Sequence, residues 1–256
     1  MFPRYRLFGY VGYPGDNILG RLGEGDIDER MAELLEHSAE YAGDREIMPV
    51  MELIATTVHA VPGKDGTFRT RAPDAVIADW LNVARRNKAI LLLDIQPGRA
   101  EFIDEVKHLE KWLKEPDVGV ALDPEWAVDA GQTPGKVFGN SSGAELDEVA
   151  RYLSELVAEH NLPEKVMVYH VLHPPIMKNE SALKRHPGVV PIKSADGIGT
   201  PGQKIAQWER IVAATTADVH MGFKLFFRED RKRGGRLMTS SEVLALKPTP
   251  EYIMYE

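Results

Sequence analysis

Short runs of aliphatic and β-branched residues alternate with longer amphipathic stretches along the whole chain, and this alternation constrains the fold more than any motif. Runs of that length are strands, and helical spacing between successive runs calls for a parallel sheet with crossover helices. The pattern predicts strands at Tyr5–Tyr10, Met48–Ala55, Ala89–Asp94, Val118–Leu122, Lys165–His170, Val189–Lys193, Asp218–Leu225 and Tyr252–Tyr255. Helical spacing falls between them at Ile27–Tyr41, Pro73–Arg86, Glu101–Lys114, Gly143–His160 and Pro201–Thr215. Asp26, Pro73-Asp74 and Ser141-Ser142 stand where helices should start.

Eight such strands in 256 residues match a single α/β domain over residues 1–256, a (β/α)8 TIM barrel, whose usual length is about 250 residues. A doubly wound open sheet would show fewer strands and a glycine-rich first turn. The chain stops at Glu256, directly after the eighth strand, so an eighth helix is missing. An exposed apolar strip is therefore expected between strands 8 and 1, to be covered by self-association or an accessory segment.

An apolar content of 43% with 27% charged residues suits a chain that buries a core. The net charge of −8 argues against a nucleic-acid partner, which needs concentrated Lys and Arg, and against an anionic membrane surface. With no cysteine, disulfides, thiolate metal sites and a cysteine nucleophile are excluded. No apolar stretch approaches the roughly 18 residues of a transmembrane segment. The opening Met1-Phe2-Pro3-Arg4-Tyr5-Arg6 is not a leader. A chain whose leader had been removed would read the same, so the setting stays open between cytoplasm and envelope.

Barrels of this kind build their sites at the carboxyl ends of the strands. Asp123 and Glu125 leave strand 4 two residues apart, so their side chains can project the same way, and Asp94 ends the neighbouring strand. Three carboxylates crowded at one rim cannot all ionise freely, and a protonated Glu beside an ionised Asp is what acid-catalysed bond cleavage requires. Glu125, Asp123 and Asp94 are the catalytic candidates. The plainer alternative has the Asp residues capping helices or binding Arg99, with Trp126 in the core. Substrate-binding candidates are Tyr10 where strand 1 runs into a Gly/Tyr loop, Tyr13 in that loop, Glu52, Arg99, Trp126, His170, Asp196, His220 and Lys224. Asp196-Gly197-Ile198-Gly199-Thr200-Pro201 reads as a tight loop opening a helix, with Asp196 a possible second carboxylate.

The segment Val118-Gly119-Val120-Ala121-Leu122-Asp123-Pro124-Glu125-Trp126 resembles the strand-4 signature of chitinase-like glycoside hydrolases, which ends in Asp-x-Glu after a Gly. That resemblance implies Glu125 as general acid and Asp123 as the residue orienting the substrate. Val118 and Ala121 stand where the family has two further Asp residues. The Asp-x-Glu end is also similar to that of barrel lysozymes. Across nearly its full length, through Leu93-Asp94-Ile95-Gln96-Pro97-Gly98-Arg99, Leu122–Trp126 and Gly222-Phe223-Lys224, the chain resembles an uncharacterised group of actinobacterial, often exported, barrel proteins. This second resemblance implies an envelope or extracellular setting.

The leading expectation is thus a glycosidic hydrolase with a carbohydrate substrate and neither cofactor nor metal. Two alternatives stay open. His170 and His173 with neighbouring acids suggest a divalent-metal barrel hydrolase or isomerase, although no His-Glu-x-x-His helix is present. The other alternative is a non-catalytic barrel that binds glycan or a partner.

Overall fold

Eight parallel strands close into a barrel in the computed structural model, which describes residues 1–256 apart from the Arg233 side chain. They are β1 Tyr5–Gly12, β2 Glu46–Val58, β3 Ile90–Ile95, β4 Val118–Leu122, β5 Lys165–Val171, β6 Val189–Ala195, β7 His220–Leu225 and β8 Tyr252–Tyr255. Closure is made by β1, where Leu7 pairs with Tyr252 of β8 on one side and Met48 of β2 on the other. The short strand Arg69–Arg71 adds antiparallel to the end of β2.

Alternation along each strand sorts the side chains into two layers. Leu7, Val11, Val50, Ile54, Leu92, Ala121, Val166, Val168, Val190, Ile192, Tyr252 and Met254 fill the interior. Their sequence neighbours, such as Phe8, Met51, Leu93, Val120, Met167 and Phe223, pack outward under the helices. Space inside is tight: a Cβ on Gly119 would sit 2.5 Å from the Val166 carbonyl oxygen, and one on Gly222 would meet the Tyr252 ring at 3.3 Å. The missing side chain at Gly222 leaves space beside the Tyr252 ring.

The helices are α1 Ile27–Ser38, α2 Asp74–Arg86, α3 Phe102–His108, α4 Glu110–Leu113, α5 Gly143–His160, α6 Pro201–Ala214 and α7 Ser240–Leu244. Asp26 caps α1 by accepting from the Asp28 and Glu29 amides at 3.0 and 3.1 Å. Ser142 and Glu145 form a capping box on α5, as do Thr200 and Gln203 on α6. The stretch expected as one helix over Glu101–Lys114 is two, broken at Leu109. Between β5 and β6 no α-helix forms: two 3-10 turns, Pro174–Ile176 and Glu180–Ala182, flank a two-residue strand, Met177–Lys178, that pairs with Ser141–Ser142. No helix is long and apolar enough to cross a membrane among the described residues.

The exposed strip expected between β8 and β1 is not found. Phe8 and Ile253 are fully buried and Tyr255 nearly so. Cover comes from the chain itself. Phe227, in the loop after β7, stacks on Tyr255 with ring centroids 4.8 Å apart, and the His37 ring of α1 lies 4.6 Å away. Tyr41 shares a 2.5 Å hydrogen bond between its hydroxyl and that of Tyr255. Aromatic rings from the chain itself thus cover this groove. Tyr41→Ala should remove both ring and hydroxyl contact, costing about 3–5 kcal/mol on the scale of buried aromatic truncations. The check is a lower urea midpoint with an unchanged slope.

Candidate active site

Two residues along from an apolar inward position, most strands place a polar side chain on the same inner face. Val50 is followed on the inner face by Glu52, Leu92 by Asp94, Ala121 by Asp123, Val168 by His170, Gly222 by Lys224 and Met254 by Glu256, while β6 continues from Ile192 through Ser194 to Asp196. The floor of the barrel mouth therefore carries six carboxyl groups (Glu52, Asp94, Asp123, Glu125, Asp196 and Glu256) against two basic side chains, His170 and Lys224. Above it opens a pocket of about 400 Å³, lined by Asp94, Gln96, Asp123, Glu125, Asp196, Lys224 and Glu256, with Trp126, Phe138 and Phe226 on its walls. A second cleft of about 480 Å³ shares Ile18, Ile198, Phe226 and Glu256 with this pocket and runs on past Arg21, Arg228 and Lys232. The two openings adjoin at these shared residues.

His170 sits between two acids. Its Nδ1 lies 2.8 Å from Asp196 Oδ2 and its Nε2 lies 3.3 Å from Glu52 Oε1, though neither approach has hydrogen-bond geometry. Asp196 is held further by the Ser194 hydroxyl, which donates to Oδ1 at 2.8 Å, and by Lys224 at 3.5 Å. Lys224 also pairs with Glu256 at 2.7 Å. Tyr252 donates to Glu52 at 3.1 Å from inside the barrel. Three carboxyl oxygens, Glu52 Oε1, Asp94 Oδ1 and Glu125 Oε2, are buried without a hydrogen-bond partner.

These surroundings split the carboxyls into two kinds. Burial, reinforced by the charges of Asp123 and Glu52, pushes Asp94 well above the usual carboxylate range. Burial with Asp123 and Asp196 does the same to Glu125. Burial also raises Asp123, to about 6, against the pull of His170 and Lys224. At Asp196 burial is outweighed by His170, Lys224 and the Ser194 hydrogen bond, and the group is held ionised below its ordinary value. His170 and Lys224 are desolvated too, yet the acids around them raise both well above normal.

Atoms of Asp94, Asp123 and His170 that could ligate an ion lie within 4.8 Å of one another, as do those of Asp123, Glu125 and Asp196. Either set has room for a divalent cation. His173 joins neither. It leaves the barrel after β5 and meets the Phe138 ring edge-on at 5.5 Å, so the His170–His173 pair does not converge.

Several residues expected here lie elsewhere. Tyr10 points outward from β1 into the aromatic cluster, its hydroxyl 2.8 Å from His37 Nδ1. Tyr13 packs against the same outer layer. Arg99 is turned away from the pocket, its Nε donating to the Gln132 carbonyl at 2.9 Å and its guanidinium lying 4.2 Å from the Phe68 ring centroid. His220 opens β7 at the opposite end of the barrel, where it pairs with Glu251 and lies 4.3 Å from the Phe2 ring. Glu52, Trp126, His170, Asp196 and Lys224 do gather with the three catalytic candidates. Ser194, Tyr252 and Phe226 were not anticipated, although stepping by two along their strands points to each. Ile18 and Phe138 are loop residues with no such signal.

A buried ion pair fixes the two loops behind Asp196 and Phe226. Lys204 of α6 reaches Asp230 at 3.0 Å and donates to the Lys224 carbonyl at 2.9 Å. Asp230 in turn accepts from the amides of Gly199 and Phe226, both at 3.0 Å. Asp196-Gly197-Ile198-Gly199-Thr200 is thus a braced turn opening α6.

No family model matches the chain, and no curated protein matches it. Among solved structures, it is similar to the carboxyl transferase domain of Rhizobium etli pyruvate carboxylase, with 10% identity, 90% of this chain and 29% of that chain covered, and a TM-score of 0.32. It is also similar to the arginine decarboxylase of Paramecium bursaria Chlorella virus, with 12% identity, 99% and 58% covered, and a TM-score of 0.29. The chain therefore spans well under two thirds of either protein's length.

Asp94 and Glu125 hold protons more tightly folded than unfolded. Their contribution to stability is complete below the unfolded carboxylate value of about 4 and is lost as pH rises through their raised folded values. Asp94→Asn and Glu125→Gln should therefore melt above the wild type at pH 8 and close to it at pH 4. Each kcal/mol recovered corresponds to about 2–4 °C at this chain size. Thermal unfolding at the two pH values is the check, and variants that melt lower at pH 8 would contradict it.

Proposed function

We propose that the chain is a hydrolase that cleaves glycosidic bonds in a polysaccharide or cell-envelope glycan, with Glu125 as the proton donor. The observation that carries this reading is the Glu125 carboxyl itself. Its Oε2 is buried and unpartnered at the pocket, and one of its two oxygens lies within 4.8 Å of oxygens of Asp123 and Asp196. An acid kept protonated by burial and by like charges can deliver its proton to a leaving oxygen. Ionised neighbours stabilise the positive charge that develops at the anomeric carbon.

The pocket and the cleft beside it would suit a chain-like substrate. Exposed Phe138 and half-buried Trp126 offer aromatic rings of the kind that stack on sugars, and exposed Ile18 and Ile198 add apolar surface beside them. The resemblance to chitinase-like hydrolases supports the same role for Glu125 and assigns Asp123 to substrate positioning. Asp94 would hold a substrate hydroxyl through its unpartnered Oδ1, and Lys224 would reach polar groups of the substrate from the facing wall. An envelope or extracellular setting, implied by the resemblance to exported barrels, belongs to this proposal.

A second reading, a divalent-metal hydrolase or isomerase, is favoured by the two sets of closely spaced ligand atoms. The two readings part on simple measurements. Under the first, Glu125→Gln lowers turnover on a panel of soluble polysaccharides and aryl glycosides by about 10²–10⁴-fold. Glycan affinity stays intact, and the wild type keeps its activity in EDTA. Loss in EDTA with recovery on adding Mg²⁺ or Mn²⁺ would move the assignment to the second. A wild type that binds these glycans and turns over none of them would be a binding barrel.

A further inference from the structure

Resting on the hydrolase reading, we infer that Asp196 is the second catalytic carboxylate and that cleavage proceeds with retention of anomeric configuration. The argument begins with spacing. Carboxyl oxygens of Glu125 and Asp196 lie within 4.8 Å of each other. Inverting enzymes hold their two carboxyls about 6.5–9.5 Å apart to admit a water between them, whereas retaining enzymes hold them about 5–5.5 Å apart. The close approach of these oxygens is nearer the retaining spacing than the inverting one, and it places the second carboxyl where it can attack the sugar itself.

Position and support single out Asp196. Asp123 shares a strand end with Glu125, whereas Asp196 comes from β6, with β5 and its His170 in between. A sugar ring can therefore meet Glu125 and Asp196 from different directions. Asp196 is also the most firmly oriented of the pocket carboxylates. The Ser194 hydroxyl fixes Oδ1 at 2.8 Å, and His170 and Lys224 face Oδ2 at 2.8 and 3.5 Å. Both cations are buried and stand on the strands that flank β6, so swinging the carboxylate away would cost each of them one of its two acidic neighbours.

The chemistry balances over two steps. In the first, an Asp196 oxygen bonds to the anomeric carbon as the glycosidic C–O bond breaks, and the Glu125 proton passes to the departing oxygen. In the second, water attacks the same carbon and gives a proton to the Glu125 carboxylate. The ester bond to Asp196 breaks and both carboxyls return to their starting states.

The experiment uses the full chain and the sugar that the wild type hydrolyses best in a panel of glucosides, galactosides, mannosides and xylosides. Proton NMR reads the first-formed anomer. The matching 2,4-dinitrophenyl 2-deoxy-2-fluoroglycoside is used as a label, followed by peptide mass spectrometry. The expected result is a first-formed anomer matching the substrate, with the label on Asp196. Asp196→Asn should abolish turnover, and the wild-type labelling decides the matter even if that variant does not fold. An inverted product, or a label on Asp123, overturns the inference and leaves the hydrolase reading standing. A wild type inert on the whole panel removes both.

Discussion

The mouth of the barrel depends on one electrostatic constraint: six carboxyl groups share a floor with two basic side chains, where water cannot screen them. Such a floor is stable only if some of the acids keep their protons and the rest are paired. The structure does both. His170 is wedged between Glu52 and Asp196, and Lys224 spans Asp196 and Glu256. Among the described residues Asp94, Asp123 and Glu125 have no ion-pair partner, and burial drives all three toward the neutral form, Asp123 less far because His170 and Lys224 pull against it. Protonated and ionised carboxyls thus come to stand within a few ångströms of each other because of where the two cations lie.

That arrangement rests in turn on the two-residue repeat of the strands. The same step that puts Val50, Leu92, Ala121 and Val168 into the barrel core carries Glu52, Asp94, Asp123 and His170 to its upper rim. A sheet closed in this register turns one polar residue per strand into a shared site, although the residues are scattered over most of the chain. Tyr252 links the two halves of the design. Its ring belongs to the apolar interior and its hydroxyl to Glu52, which binds the floor of the site to the core below it.

The barrel and its acidic rim were legible because both follow from short-range patterns: apolar runs of strand length, and carboxylates at their ends. What failed followed from details the pattern does not carry. Tyr10 sits one residue out of phase with Val11, so it faces the helices, and a loop reading of that segment hides the phase because β1 continues to Gly12. His220 has the right phase but stands at the start of its strand, the wrong end for the mouth. Arg99 is drawn off by a loop carbonyl and the Phe68 ring, contacts between segments distant in sequence. The aromatic cover over β8 and β1 joins Phe8, Tyr41, Phe227 and Tyr255 from four separate stretches, and no local periodicity announces it.

Stability elsewhere is arranged so that this rim can stay strained. The Lys204–Asp230 pair is buried, yet its leftover hydrogen-bonding capacity is spent on the Lys224 carbonyl and on the Gly199 and Phe226 amides, which ties the loops after β6 and β7 to one point. A buried pair satisfied in this way orients backbone more than it adds net stability. Its effect is to set Asp196 and Lys224 on a fixed frame while the carboxyls around them repel one another. Charges fixed on a buried floor do not need to reorganise when charge develops on a bound molecule, and that preorganisation is what a site of this composition has to offer a reaction.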